Sequence, residues 1–193
     1  MKKIVFATSN PNKIREVKAL LGDKFEIVGL TDIGCHEEVP ETQSTIVGNA
    51  LQKARYVSKH YQVNCFSEDT GLEIEALNNE PGVDTAMYAG PQRNADDNMN
   101  LVLEKLQDQP NRNARFKTVI ALIIDGKEQT FEGIVNGSIA LQKMGTDGFG
   151  YDPIFLPTGE KRSFAEMTKA KKNEISHRGR AVRKLIDFLS QQE

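Results

Sequence analysis

Lys2-Lys3-Ile4-Val5-Phe6-Ala7-Thr8-Ser9-Asn10-Pro11-Asn12-Lys13 is a short β-branched, apolar run that stops at a polar cluster, which reads as a strand feeding a helix. Asn10 suits the helix cap and Pro11 the first helical position, so Lys13 falls in the first turn. Ile14, Val17, Leu20 and Leu21 then share one face as far as Gly22-Asp23. Phe25 to Leu30 predicts a second strand. Thr45 to Tyr61 predicts an amphipathic helix through Ile46, Ala50, Ala54 and Val57, despite Gly48 inside it. Cys65-Phe66 and Leu72 to Leu77 flank Ser67-Glu68-Asp69-Thr70-Gly71, which puts these acids on a strand or in a turn between strands. Asn78 to Gly82 is a loop by composition, and Asn94 to Leu106 a helix. Ala114 to Ile124 and Gln129 to Leu141 around Asp125-Gly126 make the clearest hairpin. Beyond Gly145 to Gly150 come a short apolar segment, Ile154-Phe155-Leu156, and a last helix capped by Ser176 and running through Val182, Leu185, Ile186 and Leu189. A strand–helix opening combined with an antiparallel hairpin predicts an α/β fold on a mixed sheet with flanking helices.

At 193 residues the chain is expected to form one domain, 1–193, long enough to be bilobed. Its 25 Lys plus Arg against 27 Asp plus Glu give a net charge of -2, which argues against a surface for nucleic-acid polymers. That balance hides a segregation: Lys161 to Lys184 holds nine basic residues and two acids, whereas Glu37 to Asp84 holds nine acids and three Lys or Arg. A metal site together with a donor-rich segment suits a single small polyanion. The first apolar run is too short for a signal-peptide core, and no stretch approaches the roughly 18 residues needed to span a bilayer, so a cytoplasmic protein without membrane contact is expected. Cys35 and Cys65 sit in no ligand spacing and read as small buried hydrophobes.

Four clusters carry chemistry. Thr8, Ser9, Asn10 and Lys13 at a helix start gather N–H groups, hydroxyls and a cation where a phosphate binds; they equally describe a capped helix with a solvated lysine. Glu41, Glu68 and Asp69 are oxygen ligands of the kind Mg²⁺ takes, with solvated surface charge as the plain alternative. Gly148-Phe149-Gly150-Tyr151-Asp152-Pro153 holds two aromatics between glycines beside a carboxylate, which suits stacking on a base or an ordinary turn. Ser176-His177-Arg178-Gly179 places donors at the start of the last helix.

Taken together and in order, these clusters resemble the inosine triphosphate pyrophosphatase family. The matching motifs are Thr8-Ser9-Asn10 with Lys13, Glu41-Thr42, Asn49-Ala50 with Lys53-Ala54, and Asp69-Thr70-Gly71-Leu72. Pro81-Gly82, Tyr88-Ala89-Gly90, Gly148 to Phe155, and Lys172 followed by Ser176 to Gly179 complete a set that spans the chain. The resemblance implies an elongated mixed sheet with flanking helices forming two lobes around a nucleotide cleft, a homodimer, and Mg²⁺-dependent hydrolysis of ITP, dITP and XTP to monophosphate and pyrophosphate. By matched position, Thr8, Ser9, Asn10, Lys13 and Lys53 would bind the triphosphate. Asp69 would hold metal and accept the water proton, with Glu41 as its metal partner and Glu68 as a third acid, and Thr70 would bind substrate. Phe149 would stack on the purine, and Gly150, Tyr151 and Asp152 would shape the base and sugar pocket. Lys172, His177 and Arg178 would complete the base and phosphate contacts, with His177 or Arg178 donating to the 6-keto oxygen that adenine lacks.

The chain departs from the family pattern at three places. Gly48 stands where an acid is frequent, Glu68-Asp69 replaces paired aspartates, and Asp84-Thr85-Ala86-Met87-Tyr88 replaces Tyr-Ser-Ala-Arg-Tyr. The rival readings are a nucleotide-binding regulator without turnover and a pyrophosphatase of broader specificity.

Overall fold

The computed structural model describes residues 2–191. Strand β1 (Lys2–Phe6) leads into helix α1 (Pro11–Leu21), whose cap is Asn10: its side-chain oxygen accepts from the N–H groups of Asn12 and Lys13. Pro11 is the first helical residue, and Gly22 ends the helix at φ +57°. Strand β2 (Phe25–Val28) stops two residues earlier than the apolar pattern predicts. The Asp32 carboxylate accepts the Gly29 N–H at 2.7 Å and draws the chain into a 3₁₀ turn. Helix α2 (Ile46–Tyr61) starts at Thr45 as expected and buries Ile46, Asn49, Ala50, Lys53, Ala54 and Val57 along one stripe.

Strand β3 (Cys65–Ile74) runs unbroken through the acids, so the alternative of a turn there is not what forms. The predicted loop after it contains a two-residue edge strand, β4 (Glu80–Pro81), paired antiparallel with Glu73 and Ile74. A 3₁₀ turn, Gly82–Met87, then leads towards helix α3 (Ala95–Lys105). Strands β5 (Asn113–Ile124) and β6 (Lys127–Ile139) form the expected hairpin, with both Asp125 and Gly126 at positive φ as a type I′ turn requires. After β7 (Phe155–Pro157) comes a short helix that the sequence pattern does not predict, α4 (Lys169–Ile175), capped by Thr168, and then the expected last helix, α5 (His177–Ser190), which begins directly after Ser176. Ser176 stands between them in extended conformation.

Among the described residues seven strands join one mixed sheet in the order β2-β1-β3-β5-β6-β7, with β4 on β3. β1 pairs parallel with β2 and β3, and β6 pairs antiparallel with β7. The chain forms two compact units: the first takes the residues up to Asp69, Thr118–Gly133 and the chain from Arg178 onward, and the second Thr70–Lys117 and Ile134–His177. In the first, both sheet faces are covered. Ile4 and Phe6 pack with Val17, Leu21, Val182 and Leu185 from α1 and α5, while Val5 and Ala7 pack with Ala50, Ala54 and Val57 from α2. The second has its own core around Leu72, Met99, Val102, Phe116, Phe155 and Phe164.

Candidate functional site

In the first unit, β1 and β3 pair in parallel at Val5 with Cys65 and Phe6 with Phe66. Thr8 to Asn10 follow the end of β1 and Glu68-Asp69 lie within β3 just past that pairing, so both groups stand at the carboxyl end of the parallel ladder, where such a sheet presents ligand groups. Thr8 Oγ1 accepts the Asn10 N–H at 3.1 Å, and Ser9 is exposed. Asn10 spends its side-chain oxygen on the helix cap, 3.0 Å from the Asn12 nitrogen, which leaves its amide nitrogen as the group able to meet an anion. No acid lies in the first turn of α1, which carries Lys13 instead.

Lys53, 7% exposed and projected from α2, organises the acids. Its Nζ donates to Glu41 Oε1 and, at 2.7 Å, to the Glu68 carbonyl oxygen, and it lies 3.6 Å from Asp69 Oδ1. The segment bearing Glu41 is clamped onto α2. The Thr42 N–H donates to Gln52 Oε1 and the Gln52 amide donates to Thr42 Oγ1, both at 2.8 Å, while the Gln43 N–H donates to buried Asn49. Burial is the largest influence on Asp69 and pushes its carboxyl up to about 6; Lys53 and Lys13 oppose that, and Glu41 and Glu68 reinforce it. A carboxyl poised there is suited to accepting a proton near neutral pH.

Glu68 is placed differently. Its two oxygens accept from Arg178, one of them from Nη2 at 3.0 Å, and Lys13 Nζ lies 3.0 Å from Oε1. Arg178, 1% exposed, also donates Nη1 to Glu16 of α1. Burial pulls the guanidinium's pKa down, but Glu68 and Glu16 outweigh it and hold Arg178 firmly charged. The structure therefore places Arg178 in a buried brace joining α5, β3 and α1. Glu16 is the residue of this brace that the sequence reading missed; it pairs with a residue 162 positions away, and no local pattern marks it.

Metal ligation follows the same geometry. Among the described residues no group of three His, Cys, Asp or Glu side chains is arranged to hold a metal. Glu41 and Asp69 are two hard oxygen donors brought to one lysine from different elements, and Mg²⁺ is usually held by one or two carboxylates plus substrate phosphates. The donor set fits a metal that arrives with its nucleotide.

In the second unit, Gly148 to Asp152 is a turn closed on itself. Asp152 Oδ2 accepts the Phe149 N–H at 3.0 Å and the Lys172 Nζ at 2.7 Å, with Asp152 and Lys172 both buried. Gly148 has φ +73°, and a Cβ there would collide with Asp152 Oδ2; Gly150 has φ +61°. Lys172 Nζ lies 4.7 Å from the centre of the half-buried Phe149 ring, occupying one of its faces. His177 is buried against Phe116, ring centres 4.5 Å apart at 20°. Thr70, the first residue of this unit, is half-buried in β3.

Residues 4–188 match the Ham1 family. The chain belongs to that family. Ham1-family relatives include a "dITP/XTP pyrophosphatase" of Flavobacterium psychrophilum, 53% identical over 96% of this chain and 98% of that one, and one of Porphyromonas gingivalis, 53% identical over 98% of each. The structure of the Staphylococcus aureus Ham1 protein superposes with a TM-score of 0.91 at 36% identity, covering all of both chains. The mixed α/β fold with flanking helices read from the sequence is thus the Ham1 fold.

The departure at Gly48 has a local cause in this Ham1-family chain. A Cβ there would sit 2.8 Å from Thr45 Oγ1 and 2.9 Å from Gln43 Cβ. The close approach of Gln43, which follows Glu41 and Thr42, leaves no room for an acid.

Proposed function

We propose that this chain hydrolyses the α–β anhydride bond of non-standard purine nucleoside triphosphates, ITP, dITP and XTP, to the monophosphate and pyrophosphate. The observation that carries the reading is the placement of Lys53 between Glu41 and Asp69, with the Asp69 carboxyl raised to about 6. Full-length similarity to dITP/XTP pyrophosphatases supports the substrate class.

Lys13, the Ser9 hydroxyl and the Asn10 amide bind phosphate oxygens at the positive end of α1, with Lys53 neutralising further charge. Glu41 and Asp69 would hold Mg²⁺ together with the substrate's phosphates, and the ion would supply charge neutralisation when bound. Asp69 takes the proton of the attacking water, whose oxygen joins one phosphorus as the bridging oxygen leaves with the other. Glu68 keeps Arg178 and so serves as a third acid only through Oε1, once Lys13 turns to a phosphate. The purine stacks on the face of Phe149 opposite Lys172, on the turn shaped by Gly150, Tyr151 and Asp152. A donor to the 6-keto oxygen gives selectivity over adenine, and with Arg178 committed to carboxylates His177 is our candidate.

The reading extends to a homodimer acting in the cytoplasm on free nucleotides rather than on polymers or membranes. A net charge of -2 supports the exclusion of polymers, and no helix among the described residues is long and apolar enough to cross a membrane. Incubation with ITP, XTP, dITP, GTP, ATP and dUTP plus Mg²⁺, with products resolved by ion-exchange chromatography, tests the proposal. ITP, dITP and XTP are expected to give monophosphate and pyrophosphate fastest. Diphosphate and phosphate would show that a different bond breaks, and no hydrolysis by folded protein would remove the enzymatic reading.

A further inference from the structure

Tyr151 is 4% exposed, so its hydroxyl requires an acceptor inside the protein. The acceptor is the Thr85 carbonyl oxygen, at 2.6 Å. Thr85 lies in the 3₁₀ turn Gly82–Met87 and is held at its other polar group as well: its hydroxyl donates to the Gly82 carbonyl at 2.6 Å and accepts the Leu72 N–H of β3 at 2.9 Å. The next stretch is fixed by Asn98 of α3, also buried. Its Oδ1 accepts the Ala89 N–H at 2.8 Å and its Nδ2 donates to the Ala86 carbonyl at 3.1 Å. At the far end Tyr88 donates to Glu80 at 2.7 Å and receives Lys105 at 2.8 Å.

The turn Gly82–Met87 is thus fastened to β3 and α3 at several points, and to the Gly148–Asp152 turn through the Tyr151 hydroxyl. The latter turn is rigid within itself, because Asp152 fixes Phe149. A rigid turn still needs its orientation fixed, and Tyr151 lies between Phe149 and Asp152. We infer that Thr85 and Asn98 are positioning residues: through the Tyr151 hydroxyl they set the angle at which Phe149 meets the base, while touching no substrate themselves. The inference rests on the proposed role of Phe149 as the base platform.

Calorimetric titration separates base contacts from phosphate contacts without needing turnover. IMP and inorganic tripolyphosphate are titrated into wild type, Tyr151→Phe, Thr85→Val and Thr85→Ser. Losing one buried hydrogen bond of this kind is expected to weaken IMP binding about five- to tenfold in Tyr151→Phe and Thr85→Val. Tripolyphosphate affinity is expected to stay within about twofold, and Thr85→Ser to restore IMP binding. A merely structural role would lower the unfolding temperature and move both ligands together or neither. IMP affinity within about twofold of wild type in Tyr151→Phe, equal losses for both ligands, or no IMP binding by wild type would each overturn the inference. Should Thr85→Val fail to fold, Tyr151→Phe decides. Wild type that binds IMP but does not hydrolyse ITP would sink the proposed function and leave the positioning role standing.

Discussion

Glu68 and Asp69 are consecutive in β3, and their carboxylates serve opposite faces of the strand. Glu68 follows Phe66 onto the side packed by α1 and α5, where it meets Lys13 and Arg178; Asp69 follows Ser67 onto the side of α2, where it meets Lys53. Period-two alternation alone demands this once the strand is continuous. One acid consequently braces the fold and the other is left for chemistry.

The two neutralising substitutions should therefore part company. Asp69→Asn is expected to lower kcat about 10²- to 10⁴-fold, the usual worth of a positioned base. Its unfolding temperature should not fall, because burial already disfavours the Asp69 charge. Glu68→Gln removes a carboxylate paired with the buried Arg178 charge, and breaking a buried pair costs about 3 kcal/mol, or roughly 6–12 °C in a chain of this size. Thermal unfolding and steady-state rates check both, and a normal rate for Asp69→Asn would show that another group accepts the proton.

Local signals carried a good part of this: Asn10-Pro11 fixes where α1 begins, and Asp125-Gly126 fixes the hairpin. The residue types of the site were legible too, because Lys13, Lys53, Glu41 and Asp69 stand in motifs. What was not legible is pairing at long range. Arg178 reads as a surface donor at a helix start until Glu16 and Glu68, 162 and 110 residues earlier, are placed against it. Lys172 likewise reads as part of a basic run, yet is buried against Asp152 and under Phe149. Helix α4 was missed because seven residues give too few turns for a periodic pattern.

Gly48→Ala offers a test of packing against propensity. Gly48 is the third residue of α2, and replacing a helical glycine by alanine ordinarily gains up to about 1 kcal/mol. Here the new Cβ would press on Thr45 Oγ1, the atom that caps α2 by accepting the Gly48 N–H at 3.0 Å. Losing that cap costs about 1 kcal/mol, and Gln43 must shift besides. Denaturant unfolding should show Gly48→Ala no more stable than wild type, and Gly48→Glu less stable; a gain of about 1 kcal/mol for alanine would mean the contact relaxes freely.

Acid stability should report on Glu37. Hydrogen bonds from Tyr61, at 2.6 Å, and Tyr56 hold its carboxyl down to about 2 in the folded chain, against an ordinary 4.5. A depressed acid contributes stability that is present above the unfolded value and is lost as pH falls through the folded one. The unfolding-temperature difference between wild type and Tyr61→Phe should be constant above pH 5, narrow below 4.5 and vanish near 2. A difference that persists unchanged to pH 2 would assign the effect of Tyr61 to packing alone.

The two thiols should be silent in the native protein. Cys65 is fully buried, donates to the Ala54 carbonyl at 3.3 Å, and is pushed up to about 12 chiefly by burial. At pH 8 only about one in 10⁴ of such thiols is ionised, and the thiolate is the form that reacts. Cys35 is 3% exposed beneath the segment that carries Glu37. Iodoacetamide at pH 8 should therefore add nothing to the folded chain and two groups in denaturant, read by intact mass. Because access requires opening, the rate at Cys65 should follow global unfolding and rise in Glu68→Gln by the same factor as the unfolded population, about tenfold for each 1.4 kcal/mol of stability lost. Labelling of Cys65 that is fast in wild type and indifferent to Glu68→Gln would mean that β3 opens locally beside Ala54, independently of the Arg178 brace.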